Sequence, residues 1–172
     1  AHVIATGAVR PYHADRMLKP LIWRFSNNTA IKDDLAVMDF IAGNNWERPL
    51  YYSVTVPAST YIGLEQHFIL EGMAYRVSPI RTDQPVRGET GMVDTREMYE
   101  NMMNNFRWGN AGKEGVYLDE NNRRMFDVFR RQFARLANAL VEEGDTVRAL
   151  AAIEKGLGIV PPEKMPYDYF ST

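Results

Sequence analysis

Between Asn121 and Glu143 the residues Phe126, Phe129, Phe133, Leu136 and Leu140 follow one another at steps of three, four, three and four. That period places all five on one stripe of an α-helix. Gly144-Asp145 breaks the pattern, and Thr146–Gly158 resumes it with Leu150, Ile153 and Leu157 on one predicted face. Pro161-Pro162 then stops it, because proline lacks the N–H that a continuing helix needs. Two amphipathic stripes separated by a two-residue break predict a helical hairpin.

The hairpin follows a repeat pattern. The tetratricopeptide unit runs W-x2-L-G-x2-Y, then A-x3-F, then P. Here Phe133, Leu136, Ala137 and Leu140 stand for its first part, Ala149 and Ile153 for its second, and Pro161 for its last. The unit spans about residues 122–161. Small Ala137 and Ala149 let two helices approach closely, and the large residues fill the space around them. A single unit cannot bury its own outer face. The plain expectation is a hairpin that completes the core, and the functional alternative is a peptide-binding groove.

The first half reads differently. Leu21-Ile22-Trp23-Arg24-Phe25 alternates as a strand does, with Leu21, Trp23 and Phe25 on one face. Asn27-Asn28-Thr29 is a loop that is formally a glycosylation sequon. Lys32–Gly43 is predicted helical, capped by Thr29, with Asp33 and Asp34 at its positive end and Leu35, Met38, Ile41 and Ala42 as its apolar side. Gly43-Asn44-Asn45 is a stop signal. Leu50–Val56 is rich in β-branched and aromatic residues and reads as a strand. Strand, helix, strand predicts a β-α-β unit. Ser59–Glu65 is a short helix or turn, Gly72–Pro79 a further strand, and Thr82–Gly91 a loop carrying Pro85 and Gly88. Arg96–Phe106, capped by Asp94 or Thr95, is helical by the spacing of Met98, Met102 and Phe106. The expected fold is thus an α/β (α+β) N-terminal half with a small sheet over residues 1–92. A helical tetratricopeptide-like hairpin follows over 93–172, and the whole is expected to form one compact unit.

Charge and composition narrow the function classes. In 172 residues, 20 Lys and Arg face 22 Asp and Glu, a net charge of −2, which excludes nucleic-acid binding driven by bulk charge. The absence of Cys excludes a thiol nucleophile or thiolate metal site. His2, His13 and His67 are too far apart for a metal-ligand spacing, and no nucleophile elbow, P-loop or dinucleotide fingerprint is present. No catalytic residue, metal site or cofactor is therefore assigned. No stretch reaches the roughly 18 apolar residues of a membrane helix, so any membrane segment is expected outside these residues.

Two candidate binding groups remain. Trp46, Glu47 and Arg48 sit between a predicted helix and strand. Trp46 is suited to stacking on a sugar ring and its charged neighbours to hydroxyls or an anion, against the alternative of a structural corner. Arg123, Arg124 and Arg131 crowd the polar side of the long helix. They suit a phosphate or lipid headgroup, against the alternative of a solvated face paired with Asp119, Glu120 and Asp127. A carbohydrate-active enzyme would need Glu47, Arg48, Glu65 and His67 to converge in a cleft beside Trp46.

The runs Asn44–Tyr51, Val54–Pro57, Tyr61–Leu64 and Leu70–Arg76 carry a family resemblance. So do Tyr99–Asn110, Tyr117–Met125 and Met165–Phe170. Together they resemble the soluble C-terminal region of a bacterial family of multi-pass membrane proteins known as domain of unknown function 2723. That family is similar to protein O-mannosyltransferases, glycosyltransferases of the lipid-linked-sugar type. The likeness covers most of Asn44–Phe170 and is least over residues 1–30. It implies a parent protein whose membrane part carries the transferase chemistry, so no catalytic residue carries over here. It also implies a periplasmic location. The partners implied are the membrane-embedded part of the same protein and a polypeptide acceptor or lipid-linked sugar.

Overall fold

The computed structural model describes residues 1–26, 29–82 and 89–166. Asn27-Asn28 of the sequon, Pro85 and Gly88 of the predicted loop, and Tyr167-Asp168-Tyr169-Phe170 lie outside them. The chain forms two compact units, one of residues 1–70 and 74–92, the other of residues 71–73 and 93–172. The fold is α+β.

The first unit opens with a single turn, α1 (His2–Ala5), and a 3-10 segment over Pro11–Arg16. Helix α2 spans Lys32–Asn44. Its cap is not Thr29: the helix starts after Ile31, whose amide donates to the Asp34 carboxylate at 3.1 Å. Asn45 ends it in the left-handed conformation at φ 45°, which asparagine tolerates better than most residues. Strands β1 (Leu50–Ser53), β2 (Phe68–Leu70), β3 (Ala74–Val77) and β4 (Met92–Val93) follow, in sheet order β1-β3-β2-β4. β3 runs antiparallel to both β1 and β2.

The β-α-β expectation fails on two counts. Residues 21–26 form no strand, and the pairings of β3 are antiparallel. The alternation in 21–26 is nevertheless real, because Leu21, Trp23 and Phe25 are half-buried while Ile22 and Arg24 are exposed. The segment lies against Gly63 instead of a strand. At φ +90° a Cβ on Gly63 would collide with the carbonyl of Arg24, so only glycine allows that approach. The predicted strand over Leu50–Val56 stops at Ser53, where the Ser53 hydroxyl accepts from the Thr55 amide at 3.2 Å and offers the backbone a local alternative to the ladder.

Register sorts the sheet into two covered faces. Pairing of Leu50 with Val77, Tyr52 with Tyr75 and Phe68 with Val77 sets these on one side. There the rings of Phe68 and Tyr75 stack at 5.4 Å, and Tyr61 meets Tyr52, Phe68 and Tyr75 edge-on at 5.8, 5.0 and 6.1 Å. Ile69 and Arg76 pair on the other face, where Val9 and Ile80 join Ile69 in a buried cluster with Val3, Ile4 and Met17 against it. Arg76 is fully buried there and donates to the carbonyl of Ala8 at 2.7 Å and that of Gly7 at 3.3 Å. Ser78 donates to the same Ala8 oxygen at 2.7 Å. The N-terminal segment is thus pinned to the sheet by a charge-assisted clamp.

The second unit is helical. Asp94 accepts from the Glu97 amide and starts α3 (Thr95–Glu100), and a π-helical turn over Asn101–Asn105 completes the predicted helix. Asp119 caps α4 (Glu120–Glu142) and Asp145 caps α5 (Thr146–Ile159). Between them Gly144 adopts φ 81°, and the Asp145 amide reaches back to the Leu140 carbonyl at 2.8 Å, a glycine-dependent helix end. The Arg148 amide and guanidinium donate to Asp145, and these bonds hold its carboxyl below the usual carboxylate range.

Phe133, Leu136, Ala137 and Leu140 are buried on α4, as the repeat pattern predicts. Helix α5 departs from it. Its buried residues are Ala149, Ala152 and Gly156, whereas Val147, Leu150 and Ile153 are 79, 61 and 38 % exposed. Ile153, expected in the seam, faces outward instead. The stripe of small residues at 149, 152 and 156 allows close packing, with the Phe133 ring set against Gly156. The larger stripe is left uncovered.

Candidate functional site

Asn45 and Trp46 both adopt left-handed backbone, at φ 45° and 61°. The Glu47 amide donates to the Asn44 carbonyl at 2.8 Å, and the Asn44 side-chain amide donates to the Arg48 carbonyl at 2.8 Å. Trp46 is half-buried and Glu47 and Arg48 are exposed. These bonds make the segment a tight corner between α2 and β1. His67 is buried and pairs its Nδ1 with the Ile80 carbonyl at 2.8 Å. Among the described residues no hydrogen bond or ion pair joins Glu47, Arg48, Glu65 and His67 to one another.

Two of the arginines on α4 are paired with carboxylates of the same helix. Arg124 pairs with Glu120, and Arg131 with Asp127 at 3.1 Å, each one turn away. Arg130 donates to the Val160 carbonyl at 2.8 Å. Such exposed pairs contribute little stability but do cancel the local charge. Arg123 is exposed at the start of the helix.

Tyr52 in the sheet unit carries a large acid–base perturbation. Burial first, then the carboxylates of Asp34 and Glu65, push its phenol up to about 12. Its hydroxyl is buried without a hydrogen-bond partner. A phenol that holds its proton this firmly is a poor general acid or base near neutral pH.

The helical unit carries a groove of about 510 Å³, lined by Trp108, Gly109, Asn110, Gly112 and Lys113 on one side and by Glu154, Lys155, Gly158 and Ile159 on the other. Its first wall follows the π-helical turn. Trp108 is fixed by its indole N–H, which donates to the Met102 carbonyl at 3.1 Å, and by the rings of Phe106, Phe129 and Phe133 at 5.7, 5.1 and 5.2 Å. The ammonium of Lys164 donates to the carbonyls of Ala111 and Lys113 and braces the loop. Behind it Ala111, Leu118, Val160 and Met165 form a small apolar core. The second wall is the carboxyl end of α5. A Cβ on Gly112 would lie 3.1 Å from the carbonyl oxygens of Gly158 and Ile159, so glycine permits the two walls to meet.

None of Trp46, Glu47, Arg48, Arg123, Arg124 or Arg131 lines this groove. Sequence reasoning missed Trp108, Lys113 and Lys155. The available signal was the cluster Gly109, Gly112 and Gly115 directly after a tryptophan, which reads as a helix stop and gives no hint that α5 supplies the facing wall. Among the described residues no group of His, Asp and Glu is placed to hold a metal ion.

The family model of TMEM260-associated domain 2 matches residues 1–97. The match thus includes the first 30 residues, where the resemblance drawn from sequence was least, and stops near the start of α3. No curated protein and no solved structure matches the chain.

Proposed function

The chain belongs to the TMEM260-associated domain 2 family and is a domain of a TMEM260-like membrane protein; from that premise we propose that it is a non-catalytic, water-exposed domain that serves a glycosyltransferase-like membrane part. In this reading the domain lies on the periplasmic side, docks on the membrane part and holds polypeptide acceptor for it. The observation that carries the reading is the family match over residues 1–97. Among the described residues no helix is long and apolar enough to cross a membrane. The groove beside Trp108 favours acceptor holding over docking alone, because a rigid aromatic wall with charged rims is a recognition surface.

The test is to assay the 172-residue chain for transfer or hydrolysis of lipid-linked sugars, with and without the remainder of its membrane protein. The expected result is no turnover by the chain alone and reduced turnover by the membrane part when the chain is removed. Robust turnover by the isolated chain would overturn the reading.

A further inference from the structure

We propose that the groove between Trp108–Lys113 and the last turns of α5 binds an acidic polypeptide segment, with a peptide carboxylate held by Lys113 and Lys155 and an apolar neighbour resting on Trp108. The assignment deepens the acceptor-holding reading above by naming the chemistry of the segment held.

Three features carry it. Lys113 and Lys155 are exposed on the groove, and neither ammonium is engaged in an ion pair among the described residues, while Glu154 is the one acidic side chain in the lining. The side-chain charge of the groove is therefore positive by one, although the whole chain is at −2. Charge complementarity selects a carboxylate-bearing partner.

The groove also presents acceptors. Glu154 and the carboxyl end of α5, with the carbonyls of Gly158 and Ile159 facing Gly112, add partial negative charge beside the lysines. A peptide offers both signs, its carboxylate for the lysines and its backbone N–H groups for the acceptors, and the Asn110 side chain can pair either backbone group.

Finally, the apolar part is built before any ligand arrives. Trp108 is locked by its Met102 bond and three rings, and Lys164 braces the loop beneath. Preorganisation of this kind reduces the ordering cost of binding. The groove is partly open to solvent, which suits a segment of a longer chain.

The experiment is calorimetric titration of the full chain with acetyl-Ala-Asp-Phe-Asp-Ala-amide and with the isostere acetyl-Ala-Asn-Phe-Asn-Ala-amide, at low and high salt. The acidic peptide is expected to bind about tenfold more tightly than the isostere, with the difference shrinking at high salt. The double variant Lys113→Glu with Lys155→Glu, both at exposed positions, is expected to lose that preference while keeping its circular dichroism. Trp108→Phe is expected to weaken both peptides. Equal binding of acidic and neutral peptides, unchanged binding by the double variant, or no binding at millimolar peptide would overturn the proposal. Glutarate binding as tightly as the peptide would assign the groove to small dicarboxylates and overturn the polypeptide. Sugar transfer by the chain alone would sink the non-catalytic reading and leave these titrations unaffected.

Discussion

In the helical unit the buried residues Phe133, Leu136, Ala137 and Leu140 come from one periodic stretch of α4, and their partners Ala149, Ala152 and Gly156 lie just past a three-residue turn. In the sheet unit the cluster of Val9, Ile69 and Ile80 gathers three distant segments, and the clamp from Arg76 to Ala8 joins residues 68 apart in sequence. The first core is assembled by local periodicity. The second is assembled by long-range closure around strands of two to four residues. Short strands with few ladder bonds rely on what covers their faces, so the sheet unit depends on individual side chains more heavily than the hairpin does.

That difference is measurable. Arg76→Ala removes a fully buried guanidinium and leaves the Ala8 carbonyl without its charged donor, at an expected cost of about 4 kcal/mol. Leu136→Ala empties one position in the hairpin seam, which can partly collapse around its small neighbours, and is expected to cost about 3 kcal/mol. Guanidinium unfolding followed by circular dichroism checks both. A smaller loss for Arg76→Ala than for Leu136→Ala would reverse the comparison.

The hairpin seam has its own weak point. At Gly156 an added Cβ would lie 3.0–3.2 Å from atoms of the Phe133 side chain. Overpacking of this sort costs about 1–3 kcal/mol, against a gain of about 1 kcal/mol for alanine over glycine in a helix. Gly156→Ala is therefore expected to destabilise by about 1 kcal/mol in net. Gly158, two residues on, has nothing within 4 Å of its Cβ position, so Gly158→Ala is expected to stabilise by about 0.5 kcal/mol. Thermal melts that moved both variants in the same direction would refute close packing as the reason.

How far the sequence disclosed each unit follows from the same contrast. Helices α4 and α5 and their Gly144 break were legible because a 3.6-residue period and a glycine stop are local signals. Strand β2 was not, because Phe68, Ile69 and Leu70 are all fully buried and a strand covered on both faces loses its alternation. Residues 21–26 show the reverse: alternation is present, yet the segment rests on Gly63 and finds no ladder. The groove was illegible for a third reason. Trp108 and Lys113 announce nothing until Gly112 brings them against α5, and that approach is a tertiary fact. The buried Arg76 likewise reads as an ordinary solvent-facing residue of a strand.

Tyr52 offers a subtler probe of the sheet unit. Its phenol is raised from 10.0 to about 12 in the folded chain. The unfolded chain ionises it near its ordinary value, so the folded state gains from the neutral form. The associated stabilisation is complete below pH 10 and is lost as the pH rises toward about 12. Urea unfolding of the wild type should therefore weaken over that window, and Tyr52→Phe should flatten that part of the decline. Because the hydroxyl is buried without a partner, Tyr52→Phe is expected to be neutral or stabilising at pH 7. A clear loss of stability at pH 7 would show that the hydroxyl is bonded after all.

The smallest expected effect bears on the one place where periodicity misled. Leu150, Ile153 and Leu157 share a face of α5 and read as a core stripe, yet Leu150 is 61 % exposed and Ala149 and Ala152 occupy the seam. A helix can carry two apolar stripes, and sequence alone does not say which one its partner takes. Close approach to α4 favours the small one, since Phe133 already fills the space beside Gly156. Leu150→Gln should then change the unfolding free energy by no more than about 0.5 kcal/mol, while Ala152→Leu on the small stripe should cost about 1–3 kcal/mol through overpacking. If Leu150→Gln proved the more damaging of the two, the seam would have to run through the large stripe, and the close α4–α5 contact at Gly156 would lose its role in shaping the unit.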